Sequence, residues 1–210
     1  MTYVLVHLCG DQATTDAGRL VEHVKGARTA VVVMAGDSPP HAEIIAALAA
    51  KAGASGVCIG HGRTEGLGPD AFRIWANAAQ LGELFRDRRL YAYACDTAGH
   101  SASLGARAVA AGVAVFVGHE GRIEAPLPPE EYRLVAEVAG AAMLAFIDGH
   151  DDELTLRHAI HDAGDAFFGD EPVVPFGSAG SHASHFWRQS ELFDQLAFSL
   201  RVHRRSPERT

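Results

Sequence analysis

A chain of 210 residues with 48% apolar and 21% charged content is long enough for one domain with a full core and has the balance of a globular protein. A formal net charge of −8 argues against a general nucleic-acid binder, and with no apolar run of about 18 residues no membrane span is expected. Cys9, Cys58 and Cys95 are too sparse, and odd in number, for a disulfide framework, which fits a reducing, cytoplasmic setting.

Residues 3–8 read as a Val-rich first strand and lack the basic and small-residue pattern of a signal peptide. A polar turn over 11–16, with Thr14 or Asp16 as N-cap, leads into a helix over 17–24 with Leu20, Val21 and Val24 on one face. The Val run at 29–34 is the mark of a strand buried on both faces, broken at 36–40. An Ala-rich helix over 42–52 stops at Gly53, and a third strand covers 57–60. A Gly- and Pro-bearing loop is expected at 63–73, then a helix at 76–85 and a fourth strand at 90–94. A helix over 101–111, closed by Gly112, precedes a fifth strand at 113–117. Beyond a linker at 126–129 come helices over 130–147 and 151–168, a loop-like stretch at 169–184 and an amphipathic helix at 185–200. The polar residues 201–210 are expected to fray.

Strands alternating with helices predict an α/β fold, a doubly wound and mostly parallel sheet with helices on both faces. Residues 1–168 form that domain, and residues 169–210 add a C-terminal helical extension. Right-handed crossovers bring the strand ends to one edge. Two of those ends carry chemistry. One strand stops at Cys95, and the preceding one stops at His61-Gly62. On neighbouring strands the two side chains lie about 5 Å apart, within reach for an imidazole to serve a thiol. A helix starting near Ser101 is expected to turn its N-terminus toward Cys95 and favour a thiolate. Such a pair suits acyl transfer, with the backbone N–H groups of Gly62 and Cys95 as oxyanion donors. The plainer alternative is a buried, inert cysteine at a strand end.

The order "apolar strand, His61-Gly62" then "apolar strand, Ala94-Cys95" resembles the caspase-like cysteine peptidases, which include caspases, gingipains, separases and CHAT-domain proteins. Ala94-Cys-Asp-Thr-Ala-Gly99, the helix before it at 79–85, the helix–turn–strand at 103–117 and the stretch at 146–159 resemble the CHAT branch. The resemblance covers about residues 1–168. It implies a cysteine endopeptidase acting on protein or peptide substrates through a dyad, Cys95 as nucleophile and His61 as acid/base, with no cofactor and no metal. Gly118-His-Glu-Gly121 stands where the family often has a Trp-containing segment that helps shape the substrate pocket. Asp11, Asp96, His119 and Glu120 are the candidates to line that pocket, the three acids suiting a basic side chain. Control would come from a separate regulatory protein partner or from residues 169–210. The simpler expectation is that the extension's apolar residues, Phe186, Trp187, Leu192, Phe193, Leu196, Phe198 and Leu200, pack on their own domain.

Two other readings stay open: a non-catalytic caspase-like interaction or scaffold module, and a Cys-dependent amidase on a flavodoxin-like sheet. No Gly-x-Gly-x-x-Gly, Walker or Gly-x-Ser-x-Gly motif is present. His158, His161, Asp162 and Asp165 mimic half a metal site, but no matching second helix exists, so a solvated face is expected. His182 and His185 read as surface or capping residues, His7 as a satisfied core histidine and Cys58 as a small buried hydrophobe.

Overall fold

Successive side chains of a strand point to opposite faces, and the two cores of this molecule follow that rule. Tyr3 and Leu5 of β1 (Tyr3–Leu8) join one buried cluster, while Val4, Val6 and Leu8 join the other. In the same way β3 (Ser55–Ile59) sends Val57 and Ile59 to the first and Cys58 to the second. In β7 (Arg89–Tyr93), Tyr91 and Tyr93 go to the first cluster, and Leu90 and Ala92 to the second. The computed structural model describes residues 3–28, 31–51, 53–123, 129–169 and 181–206. The expected strand start at Thr29, the linker at 126–128, the loop residues 170–180 and the end of the tail at 207–210 lie outside the described residues, as do the side chains of His182, His185, Phe186 and Trp187.

The sheet has six strands in the order β2-β1-β3-β7-β8-β9, with β2 at Val31–Gly36, β8 at Val115–His119 and β9 at Leu200–Arg204. All neighbours are parallel except β9, which runs antiparallel to β8. The first cluster is covered by α2 (Gly18–Ala27), α6 (Pro129–Ile147), α7 (Glu153–Gly169) and α8 (Ser181–Ser199). The second is covered by α3 (His41–Ala49), α4 (Ala78–Leu84) and α5 (Leu104–Ala111). The fold is therefore α/β, with helices on both faces of a mixed, mostly parallel sheet.

Three sequence expectations need correction. The stretch expected to fray at 201–210 contains most of β9, whose Leu200 is fully buried in the first cluster and whose Arg204 Nη2 meets Asp151 Oδ1 at 2.7 Å. The stretch expected as an irregular loop at 63–73 belongs to a small antiparallel sheet of β4 (His61–Gly62), β5 (Gly66–Gly68) and β6 (Ala76–Asn77). Buried Leu67, Trp75 and Ala76 anchor that sheet, and Trp75 Nε1 donates to the Pro39 carbonyl at 2.9 Å. The expected turn at 11–16 is a short helix, α1 (Gln12–Asp16), capped by Asp11, and the helix after it, α2, has Ala17 at its N-cap position rather than Thr14 or Asp16. A smaller shift concerns α5, expected from residue 101, which starts at Leu104 behind the N-cap Ser103.

His7 is buried and its Nε2 donates to the Thr14 carbonyl at 2.6 Å, as a satisfied core histidine should. Cys58 is buried in the second cluster. His161 packs edge-on against Phe193 and Phe198. Among the described residues no cluster of three or more metal-ligating side chains exists, and no helix is long and apolar enough to cross a membrane.

Candidate functional site

Register brings the two reactive residues together. Ile59 pairs with Tyr93 on β3 and β7, and Gly60 N–H donates to the Tyr93 carbonyl at 3.3 Å. Two residues beyond these two strand ends stand His61 and Cys95. Both line one pocket with Ala13, Ala17, Leu20 and Val135.

The backbones meet just as closely. A Cβ built on Gly62 would collide with the Cys95 carbonyl oxygen and lie 2.6 Å from Thr97 Cγ2 and 2.8 Å from Ala94 Cβ. Only glycine admits this approach. The turn after Cys95 is held against the β8 loop by Asp96 N–H to Gly121 O (2.8 Å), Thr97 N–H to His119 O (3.0 Å) and Ala98 N–H to His119 O (3.0 Å). Asp96 sits in the left-handed region at φ +50, a conformation that aspartate tolerates better than most residues.

His61 is oriented by a group the sequence reading placed elsewhere. Its Nε2 lies 2.8 Å from Asp11 Oδ2. Asp11 is fixed in turn by α1: its Oδ1 accepts from the Thr14 N–H at 3.0 Å and the Thr14 hydroxyl at 2.9 Å. Partial burial pushes the Asp11 carboxyl up, but the Thr14 donors and the imidazole outweigh it and hold the carboxyl below its usual range. An ionised carboxylate only accepts, so Nε2 carries the proton and Nδ1 of the neutral ring keeps its lone pair. The imidazole is thus poised as a base at Nδ1.

Cys95 does not touch that base in this arrangement. Its Sγ accepts from the Ile123 N–H at 3.2 Å and donates to the Ile123 carbonyl at 3.4 Å. Burial pushes the thiol up, and the Asp96 charge adds to this. The Ile123 N–H and the Arg122 guanidinium oppose it without winning. The expected helix-dipole thiolate is therefore corrected: α5 begins only at Leu104, and the thiol here is protonated.

None of the four residues expected to line the substrate pocket, Asp11, Asp96, His119 and Glu120, lines this one. His119 is fully buried behind Tyr93, with Nδ1 2.9 Å from Ser199 Oγ. Glu120 is exposed and pairs with Arg201 Nη2 at 2.6 Å. Asp96 is exposed in its turn, and Asp11 serves His61. The residues that do shape the pocket went unrecognised in the sequence: Thr14, Asp16 and Arg19 from α1 and α2, Ile123, and Tyr132 from α6. Tyr132 OH donates to Asp16 Oδ2 at 2.7 Å, and the Arg19 guanidinium lies 4.8 Å above the Tyr132 ring. The spacing Asp11-x-x-Thr14, a capping-box pattern, was the one local signal that could have assigned Asp11.

A second thiol–imidazole pair sits at the end of β1, where Cys9 Sγ lies 3.2 Å from His7 Nδ1. His7 Nε2 must donate to the Thr14 carbonyl, so Nδ1 accepts the Cys9 S–H, and burial pushes this thiol up as well. It is a hydrogen-bonded thiol. No protein-family model matches the chain, and no curated protein matches it.

Proposed function

We propose that the chain is a caspase-like cysteine endopeptidase of the CHAT type, cleaving protein or peptide substrates with Cys95 as nucleophile and His61 as acid/base. The observation that carries this reading is that His61 and Cys95, two residues beyond the paired Ile59 and Tyr93 of neighbouring strands, line one pocket. When a peptide binds, the Cys95 S–H exchanges the Ile123 carbonyl for His61 Nδ1. The imidazole takes the proton as sulfur attacks the peptide carbonyl. The oxyanion is received by the N–H groups of Gly62 and Cys95, whose backbones adjoin at this point. His61 then returns the proton to the leaving amine, which departs and leaves a thioester. Water, deprotonated by His61, releases the acid and restores the thiol.

The test maps new N-termini in a cell protein extract treated with wild type, Cys95→Ala or His61→Ala. Cuts are expected with wild type alone. Identical cuts from Cys95→Ala would end the proposal, and the same cuts lost only in His61→Ala would assign the nucleophile elsewhere.

Asp11→Asn separates orientation from recognition. As the group that orients His61, Asp11 is expected to affect kcat, lowering it by about 10- to 10⁴-fold with little change in KM. A raised KM confined to peptides with basic residues, at unchanged kcat, would instead make Asp11 a recognition acid.

A further inference from the structure

The pocket beside Cys95 carries its own information about what enters it. Its free space is about 90 Å³. A dry cavity of about 150 Å³ accommodates benzene, and a single water needs only about 10–15 Å³ by the same kind of measure. The pocket therefore has room for a branched aliphatic side chain, while an aromatic ring would have to extend beyond its enclosed part. Its walls are apolar: Ala13, Ala17, Leu20, Ile59, Ile123 and Val135 supply only hydrocarbon side chains.

The charges at its edge are committed. Asp16 accepts from Gln12 Nε2 at 2.9 Å through Oδ1 and from Tyr132 OH at 2.7 Å through Oδ2. Arg19 lies over the Tyr132 ring. One acid and one base on a shared aromatic offer no net charge to a charged side chain. A lysine or aspartate placed against the hydrocarbon walls would lose hydration there, a cost an aliphatic side chain does not carry.

We infer that this pocket is the specificity pocket for the residue whose carbonyl Cys95 attacks, and that it selects small aliphatic side chains, Val, Leu and Ile above Ala. This replaces the expectation of a basic preference and rests on the peptidase reading above. The geometric reason is proximity. The side chain of the attacked residue is one atom from the reacting carbon, and the pocket opens directly beside the sulfur. Each methylene matched or missing in such a pocket changes the rate by about tenfold or more.

The test uses a panel of blocked tripeptide coumarin amides that differ only in the last residue: Val, Leu, Ala, Phe, Lys or Asp. Wild type is expected to cleave the Val and Leu members at least tenfold faster, in kcat/KM, than the Phe, Lys and Asp members. Ala13→Leu fills the pocket from the half-buried side of α1 and is expected to reverse the order of Leu and Ala. Cys95-dependent cleavage led by Lys, Asp or Phe would overturn the inference and leave the peptidase reading standing. If no member is cleaved, the peptidase reading falls, and calorimetry of the same tripeptides as simple amides on Cys95→Ala decides the pocket alone. Tighter binding of Val and Leu, lost in Ala13→Leu, supports it, and equal binding across the panel overturns it.

Discussion

Gly62→Ala is expected to lower peptide turnover by at least about 100-fold while the protein stays folded. The added methyl would overlap the Cys95 carbonyl oxygen and press on Thr97 and Ala94. One of the two backbones must move, and the turn after Cys95 is the firmer. Asp96, Thr97 and Ala98 all donate to the β8 end and its loop, and Gly105 N–H donates to the Thr97 carbonyl at 2.7 Å. The His61–Gly62 segment gives way instead, carrying the imidazole from the thiol and Gly62 N–H from the oxyanion. A displacement of about 1 Å at reacting groups costs on the order of 10²-fold. The overpacking itself costs about 1–3 kcal/mol, which most domains survive. Gly26→Ala is the control. It lies in α2 with open space around the new methyl, so stability should rise by about 0.5–1 kcal/mol with turnover unchanged. Wild-type turnover in Gly62→Ala would show that the two backbones do not abut as described.

The parts of this site legible in the sequence are those that strand periodicity controls. Val-rich β1 and β2, and the apolar runs ending at His61 and Cys95, declare buried strands. Period-two alternation then places Ile59 and Tyr93 on one face, with His61 and Cys95 two residues beyond them. What stayed hidden depends on contacts between segments distant in the chain. Asp11 reaches His61 across 50 residues, and Tyr132 reaches Asp16 across 116. Neither contact leaves a periodic trace, because each is decided by how α1 and α6 settle on the sheet. β9 was hidden for another reason. Leu200, Arg201, Val202, His203 and Arg204 alternate as a strand should, but their basic residues read as a solvated tail. Those residues instead meet acids from other elements, Arg201 with Glu120 and Arg204 with Asp151. The thiol's protonation was misjudged because proximity in sequence to a helix is not proximity to its first turn. Residues 96–103 lie between Cys95 and α5.

Acid is expected to destabilise the fold well before its carboxylates protonate, and His119 is the reason. Burial holds its imidazole far below the usual histidine range, down to about 3. In the unfolded chain it titrates near the ordinary value of about 6.5. Between those two values the unfolded state binds the extra proton, so stability is complete above about pH 6.5 and declines as pH falls toward 3. The slope is about 1.4 kcal/mol per pH unit, which gives a loss of roughly 2 kcal/mol between pH 7 and pH 5. His203, whose range burial also depresses, adds to the same window. His119→Gln isolates the contribution, since it retains a polar end for Ser199 and cannot charge. Urea unfolding of both proteins at pH 7, 6 and 5 should show the wild type losing about 2 kcal/mol more than the variant. Parallel curves would mean that His119 is hydrated or already charged in the folded protein. The consequence reaches the site, because the His119 carbonyl receives the Thr97 and Ala98 N–H groups that hold the turn after Cys95. A proton forced onto this ring makes both nitrogens donors, so the Ser199 and Tyr91 hydroxyls must both turn to accept. The stability lost on acidification should therefore extend to the turn after Cys95, and less of it should be lost in His119→Gln.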